Sequence, residues 1–81
     1  MTESEIRALA AQALAGIAPE ADLAGVGDDE DLREALDLDS MDFLNFVIAL
    51  SQAAGVNIPE ADAPKLFTMK GVVGHLSAAG G

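Results

Sequence analysis

The sequence predicts an all-α protein, a four-helix bundle of three longer helices and one short helix with a long first loop. Three stretches carry apolar residues at helical spacing, and no stretch alternates between apolar and polar residues as a strand would. The chain has 81 residues, of which 51% are hydrophobic, so it is expected to form a single domain over residues 1–81.

The first helix is predicted over residues 2–16. Thr2 and Glu5 have the spacing of a capping box, in which each side chain accepts a hydrogen bond from the other residue's backbone N–H. Gly16 and Pro19 end the helix. Between these signals runs one apolar stripe, made of Ile6, Leu9, Ala10, Ala13, Leu14 and Ile17.

Residues 18–39 are predicted to form the long first loop, which Pro19, Gly25 and Gly27 keep out of a continuous helix. The loop is too long for an ordinary connection in a bundle, so it is expected to have a function or to be pinned by its own apolar residues. A turn of helix can form from Leu32 to Leu36. The candidate pins are Leu23, Val26, Leu32, Leu36 and Leu38.

The second longer helix is predicted over residues 40–54. Asp39 is placed as its N-cap, with Asp42 at the third helical position and Gly55 just beyond the end. Ser40 is then the first helical residue, with its hydroxyl near solvent. A short helix is predicted over 60–64, where Pro64 limits its growth, and the last helix over 68–79 begins after Thr68.

This second longer helix is apolar on two faces. One stripe is expected to face the core and contains Phe43, Phe46, Val47, Leu50 and Ala54. Met41, Leu44 and Ile48 gather on another face, beside Ser40. So small a domain has too few elements to enclose both stripes, so part of the second is expected to be an exposed docking patch. The alternative is that Leu44 and Ile48 also fill the core beneath the long loop.

The composition excludes several classes of function. Fourteen acidic residues face four basic ones, and the formal net charge of −10 argues against nucleic acid and anionic membranes as partners. Partners with basic patches are expected instead, and the charge favours a monomer. The chain has no cysteine, so disulfides and thiolate metal sites are excluded. No apolar run or basic leader indicates a membrane span or signal peptide, which makes cytoplasmic location the expectation.

The acidic run Asp28–Asp31 is a candidate metal site. An EF-hand loop starting at Asp28 would place Arg33 where glycine is needed and Asp39 where a bidentate glutamate is needed. The run is therefore interpreted as a solvated acidic loop, and no metal site is predicted. His75 has no cysteine or second histidine to work with, so it is interpreted as a surface or boundary residue.

The segment Asp39-Ser40-Met41-Asp42, followed by Phe43-Leu44-Asn45-Phe46-Val47-Ile48-Ala49-Leu50, resembles the motif of the acyl carrier proteins, in which Asp-Ser-Leu/Met begins the second helix. The resemblance covers nearly the whole chain, because the length, the acidity, the long loop, Val56-Asn57-Ile58-Pro59 and Phe67-Thr68 also fit in order.

The resemblance implies a carrier rather than an enzyme. Ser40 would receive 4′-phosphopantetheine from coenzyme A through a phosphopantetheinyl transferase, and acyl groups would ride as thioesters on the arm's thiol. The enzymes that load and process the cargo would be a ligase or acyltransferase and ketosynthase-type enzymes. Their contacts would be Asp39, Met41, Asp42, Leu44, Asn45 and Ile48. The acyl chain would shelter among Phe46, Leu50 and Leu66.

One departure from the family leaves the pathway open between fatty acid, polyketide and specialised acyl transfer. Carriers of fatty-acid synthesis usually place glutamates along the outer face of this helix, where the present chain has Asn45, Ser51, Gln52 and Ala53. The alternative function, from a different class, is a small acidic helical interaction adaptor without a prosthetic group, which would use the second stripe as its contact.

Overall fold

Helices form all of the regular secondary structure in the part of the chain that the computed structural model describes, which is the backbone of residues 1–80 and the side chains of residues 1–78. Gly81, the last residue of the predicted domain, lies outside it. The α-helices are α1 (Glu3–Ala15), α2 (Leu32–Ala35), α3 (Ser40–Ala54) and α4 (Met69–Gly80). Two 3₁₀ segments span Leu23–Gly25 and Glu60–Leu66. The predicted all-α fold is confirmed, and its longer helices begin and end within one residue of the predicted bounds.

Local capping explains why the longer helices begin and end where they do. The Thr2 N–H donates to Glu5 Oε1 at 3.0 Å, and the Glu5 N–H donates to Thr2 Oγ1 at 3.2 Å, which completes the predicted capping box. Asp39 Oδ1 accepts the Asp42 N–H at 2.8 Å at the start of α3. Gly55 ends α3 in the left-handed region, with φ of 68°, which glycine adopts without steric cost.

The hydrophobic core lies between α1, α3, α4 and the Glu60–Leu66 segment. Each longer helix turns one apolar stripe inward, as the helical spacing predicts. A fully buried side chain of this size stabilises the fold by roughly 1.5–3 kcal/mol before entropy is subtracted. The largest fully buried side chains are Phe46, Ile6, Leu32, Leu50, Leu66, Met69, Leu76 and Val72.

The long loop is pinned to the bundle, as expected. Leu32 is buried, and its N–H donates to the Phe67 carbonyl at 2.7 Å. Earlier in the loop, Asp28 pairs with Arg7 of α1 at 2.8 Å, and its carbonyl accepts the Lys70 N–H at 3.1 Å. Leu38 is also buried, while the other predicted pins pack against the core in part: Leu23, Val26 and Leu36.

The short helix is longer than the predicted 60–64, because the 3₁₀ segment continues through Pro64 to Leu66. The fixed φ of proline suits a 3₁₀ helix, and its missing N–H costs the segment only one hydrogen bond. The carbonyl of Pro64 still accepts a hydrogen bond from the Phe67 N–H at 3.4 Å. Burial of Leu66 against the core, a tertiary contact that local spacing does not report, favours the extra turn.

The start of α4 lies against this 3₁₀ segment at Gly71. A Cβ atom built on Gly71 would overlap the carbonyl oxygen of Lys65, so only glycine allows the approach. Thr68 Oγ1 accepts the Gly71 N–H at 3.1 Å, which is the N-cap that the sequence predicts for the last helix. No helix of the described residues is long and apolar enough to cross a membrane.

Candidate functional site

Ser40 is the first residue of α3 and is exposed to solvent. The preceding Asp39 forms the N-cap, so the serine hydroxyl is not used to cap the helix and remains available. The N-terminus of this 15-residue helix carries unpaired N–H groups and a positive dipole end. The chain therefore presents a free primary hydroxyl at a position that favours a negatively charged substituent.

The chain reaches Ser40 through a turn that holds one residue in the left-handed region. Asp37 has a φ of 54°, which is uncommon for a residue other than glycine. Its N–H donates to the Glu34 carbonyl at 3.4 Å, and the Leu38 N–H donates to the Arg33 carbonyl at 2.8 Å. These two bonds form a Schellman motif that ends α2 and directs the chain into α3.

An open groove of about 770 Å³ begins beside Ser40. It lies between α2, the first turns of α3 and the Glu60–Leu66 segment. Apolar side chains form much of its wall, with acidic groups among them. The groove is lined by Arg33, Glu34, Leu38, Asp39, Ser40, Met41, Phe43, Leu44, Glu60, Ala63, Pro64 and Phe67.

Arg33 is the basic residue of this groove, and two neighbours fix its guanidinium. Its Cζ atom lies 3.6 Å from the centroid of the Phe67 ring, a cation–π contact. Its Nε and Nη2 atoms donate to Asp31 at 3.1 and 2.7 Å. These hydrogen bonds lower the pKa of Asp31 and raise the pKa of Arg33, so both groups stay charged around neutral pH.

The structure places the predicted partner-interface residues on the outer side of α3. Met41 is 63% exposed and Ile48 is 48% exposed, so Ile48 does not fill the core. Leu44 is half-buried and lines the groove, between the two possibilities that the sequence left open. The polar members Asp39 and Asn45 are exposed, and Asp42 is half-buried.

The predicted acyl-chain residues are not exposed in the groove. Phe46, Leu50 and Leu66 lie in the core, and Phe46 is only 1% exposed. No sequence pattern predicted Arg33, Phe43 or Phe67 as residues of the groove beside Ser40. Phe67 directly precedes Thr68, the predicted start of the last helix, but no local pattern places Arg33 on its ring.

The remaining candidate groups give no second site. Within residues 1–80, no group of three or more acidic or histidine side chains is arranged to hold a metal ion. Two acids of the run form ion pairs instead, since Arg7 pairs with Asp28 and Arg33 pairs with Asp31. His75 is half-buried on α4, outside the lining of the groove.

Two comparisons with known proteins bear on this site. Residues 4–76 match the family model described as the phosphopantetheine attachment site. An acyl carrier protein from Campylobacter hominis is 35% identical over 72 residues, which cover 89% of this chain and 85% of the relative. The chain belongs to the acyl carrier protein family. Acyl carrier proteins are carriers with covalently attached 4′-phosphopantetheine, and they interact with phosphopantetheinyl transferases and acyl-processing enzymes.

The surroundings of Ser40 fit the prosthetic group of an acyl carrier protein. The exposed hydroxyl can form a phosphodiester, and the helix N-terminus favours its negative charge. The groove offers apolar walls beside Ser40. When bound, the arm supplies the thiol that this cysteine-free chain lacks.

Proposed function

We propose that this acyl carrier protein carries its 4′-phosphopantetheine arm on Ser40. The observation that carries the proposal is the exposed hydroxyl at the first position of α3, which is free because Asp39 is the capping residue. The groove beside it gives the arm and its cargo a surface to lie on. The role of the chain is to hold and present acyl groups as thioesters.

The proposed shelter for the acyl chain is the interior beneath the groove, among Phe46, Leu50 and Leu66. These side chains form a continuous apolar region between α3 and the Glu60–Leu66 segment. An acyl chain that enters this region exchanges water for apolar contacts, which favours entry by about 0.8 kcal/mol per methylene.

The proposed docking face for partner enzymes is the outer side of α3 near Ser40. It consists of Asp39, Met41, Asp42, Leu44, Asn45 and Ile48. Its exposed apolar members can enter a partner's pocket, and its acids suit a partner with a basic patch. The partners proposed are a phosphopantetheinyl transferase, a loading ligase or acyltransferase, and ketosynthase-type enzymes.

The pathway is proposed from the charge of α3. Asn45, Gln52 and Ala53 are exposed on α3 and are uncharged, so the docking field depends on Asp39 and Asp42 beside the serine. This arrangement supports a specialised acyl-transfer pathway, fatty acid and polyketide synthesis being the alternatives. The protein is proposed to act as a cytoplasmic, single-domain monomer.

The proposed attachment site is tested by intact mass. The chain is coexpressed with a broad-specificity phosphopantetheinyl transferase, and the mass is expected to rise by one phosphopantetheine. The Ser40→Ala variant is expected to stay unmodified. Ser4→Ala is the matched control, because Ser4 is also exposed in the first turn of a helix, and this variant is expected to gain the arm as the parent does.

Two outcomes would contradict the proposal. Modification of Ser40→Ala would show that another hydroxyl is the attachment point. No gain of mass in the parent protein, under conditions that load a known carrier, would favour the adaptor without a prosthetic group.

A further inference from the structure

Four planar groups form a continuous row of contacts from the groove into the core, in which the Phe67 and Phe43 rings are tilted by 57° and the Phe43 and Phe46 rings by 39°. The Arg33 guanidinium lies 3.6 Å from the Phe67 ring centroid, and the centroids of Phe67 and Phe43 are 5.1 Å apart. Phe43 is in turn 6.2 Å from Phe46, which is buried. The two middle rings line the groove beside Ser40. They therefore lie between the attachment point and the buried region of Phe46.

Phe67 is held in this row of contacts from one side by α2 and by Asp31, the residue that precedes α2. The backbone of Leu32 donates to the Phe67 carbonyl at 2.7 Å, while the Arg33 side chain covers the ring. Asp31 fixes the plane of the guanidinium with hydrogen bonds of 3.1 and 2.7 Å. The position of the ring thus depends on the long loop as well as on its own segment.

We propose that Arg33 is a positioning residue that holds Phe67 across the entrance from the groove to the interior, and that this contact selects which acyl chains are sheltered. The proposal rests on the proposed function, in which Ser40 carries the arm. An acyl chain enters the interior only if it is long enough for its apolar contacts to offset the lost contacts of Phe67 with Arg33 and Phe43. A short acyl group stays in the groove.

The magnitudes support selection by length. Each buried methylene favours entry by about fourfold. Opening the cation–π contact disfavours entry by about two- to fivefold, and separating the Phe43–Phe67 pair disfavours it by about two- to tenfold. An acetyl group has too little apolar surface to offset both losses. An octanoyl chain has several methylenes and exceeds them.

The test measures how fast hydroxylamine cleaves the thioester on the loaded protein. Acetyl and octanoyl arms are installed from the corresponding coenzyme A thioesters, and loading is confirmed by mass. The Arg33→Met variant keeps a long, flexible side chain at this position but removes the guanidinium from the Phe67 ring. The octanoyl thioester is expected to be cleaved about two- to fivefold more slowly than in the parent, because the chain enters more readily. The acetyl thioester is expected to be cleaved at the parent rate.

Two further variants separate the effect of losing the guanidinium from the effects of losing a positive charge and of unfolding. Arg33→Lys keeps a cation near Asp31 but loses the planar guanidinium, and it is expected to slow octanoyl cleavage by no more than Arg33→Met does. Lys70→Met removes an exposed basic side chain of α4 that lies outside the lining of the groove, and it is expected to leave both rates unchanged. Circular dichroism checks that each variant keeps its helices.

The outcomes distinguish this proposal from the proposed function. If the arm is attached but the octanoyl thioester of Arg33→Met is cleaved as fast as that of the parent or faster, the positioning role of Arg33 is refuted and the carrier function stands. Equal slowing of acetyl and octanoyl thioesters refutes selection by length. If no mass is gained at Ser40, the proposed function fails, and the positioning role of Arg33 fails with it.

Discussion

At the scale of single residues, the two glycines inside α4 have opposite roles. Gly71 faces the carbonyl oxygen of Lys65, and an added Cβ would overlap that atom. Gly74 is exposed, and a Cβ built there has no neighbour within 4 Å. The first glycine is required by packing, whereas the second only weakens the helix.

The two alanine variants should therefore change stability in opposite directions. Gly71→Ala is expected to destabilise the protein by about 1–3 kcal/mol, since α4 and the 3₁₀ segment must separate. Gly74→Ala is expected to stabilise it by about 0.5–1 kcal/mol through helix propensity alone. Urea unfolding followed by circular dichroism measures both. A stabilising effect of Gly71→Ala would show that the close approach to Lys65 does not exist in solution.

At the scale of elements, the N-cap of α3 links stability to the attachment site. Asp39→Ala removes the acceptor of the Asp42 N–H, and the expected loss is about 1 kcal/mol of unfolding free energy. Thr2→Ala removes the corresponding cap of α1 and is expected to cost about the same. Only Asp39→Ala is expected to slow transfer of the arm to Ser40 as well.

Denaturant unfolding and a time course of the mass gain measure the two effects separately. If both variants load at the parent rate, the cap of α3 serves stability alone. If Thr2→Ala also loads slowly, global stability rather than the position of Ser40 limits the transfer.

The helices were predictable from sequence because their signals are local. The capping box of Thr2 and Glu5, the cap Asp39 and the left-handed Gly55 each depend on residues within one turn. The proposal that Ser40 is the attachment serine follows from the same local signals together with the family motif.

The groove was not predictable in the same way. The contact of Arg33 with Phe67 joins an otherwise ordinary surface arginine to a ring more than thirty positions away, and helical periodicity contains no information on such a pair. The extension of the 3₁₀ segment to Leu66 likewise depends on tertiary burial. The sequence thus predicted Ser40 as the attachment point and identified the helix faces, but it did not predict the walls of the groove.

At the scale of the whole molecule, charge repulsion opposes folding. The formal net charge is −10, and three of the four basic residues already form ion pairs, namely Arg7, Arg33 and Lys65. These exposed pairs contribute little, and salt weakens them, but the repulsion among the excess acids is screened as well. The repulsion involves many more charges, so its screening should dominate.

We expect the melting temperature to rise by several degrees between 10 and 300 mM salt, since ~1 kcal/mol corresponds to ~4–8 °C in a domain of this size. Differential scanning calorimetry measures the rise. A double variant, Glu20→Gln with Asp29→Asn, removes two exposed acids and is expected to show a smaller rise. A flat or falling response in the parent would show that the ion pairs outweigh the repulsion.

The three phenylalanine rings also make the protein suitable for following its own cargo by spectroscopy. The chain has three phenylalanines and no tyrosine or tryptophan, and all three rings belong to the row of contacts between the groove and the core. Apart from those of the His75 imidazole, every aromatic proton signal of the protein therefore originates from rings that lie between the groove and the core. Nuclear magnetic resonance can follow cargo crossing that boundary without any label or added chromophore.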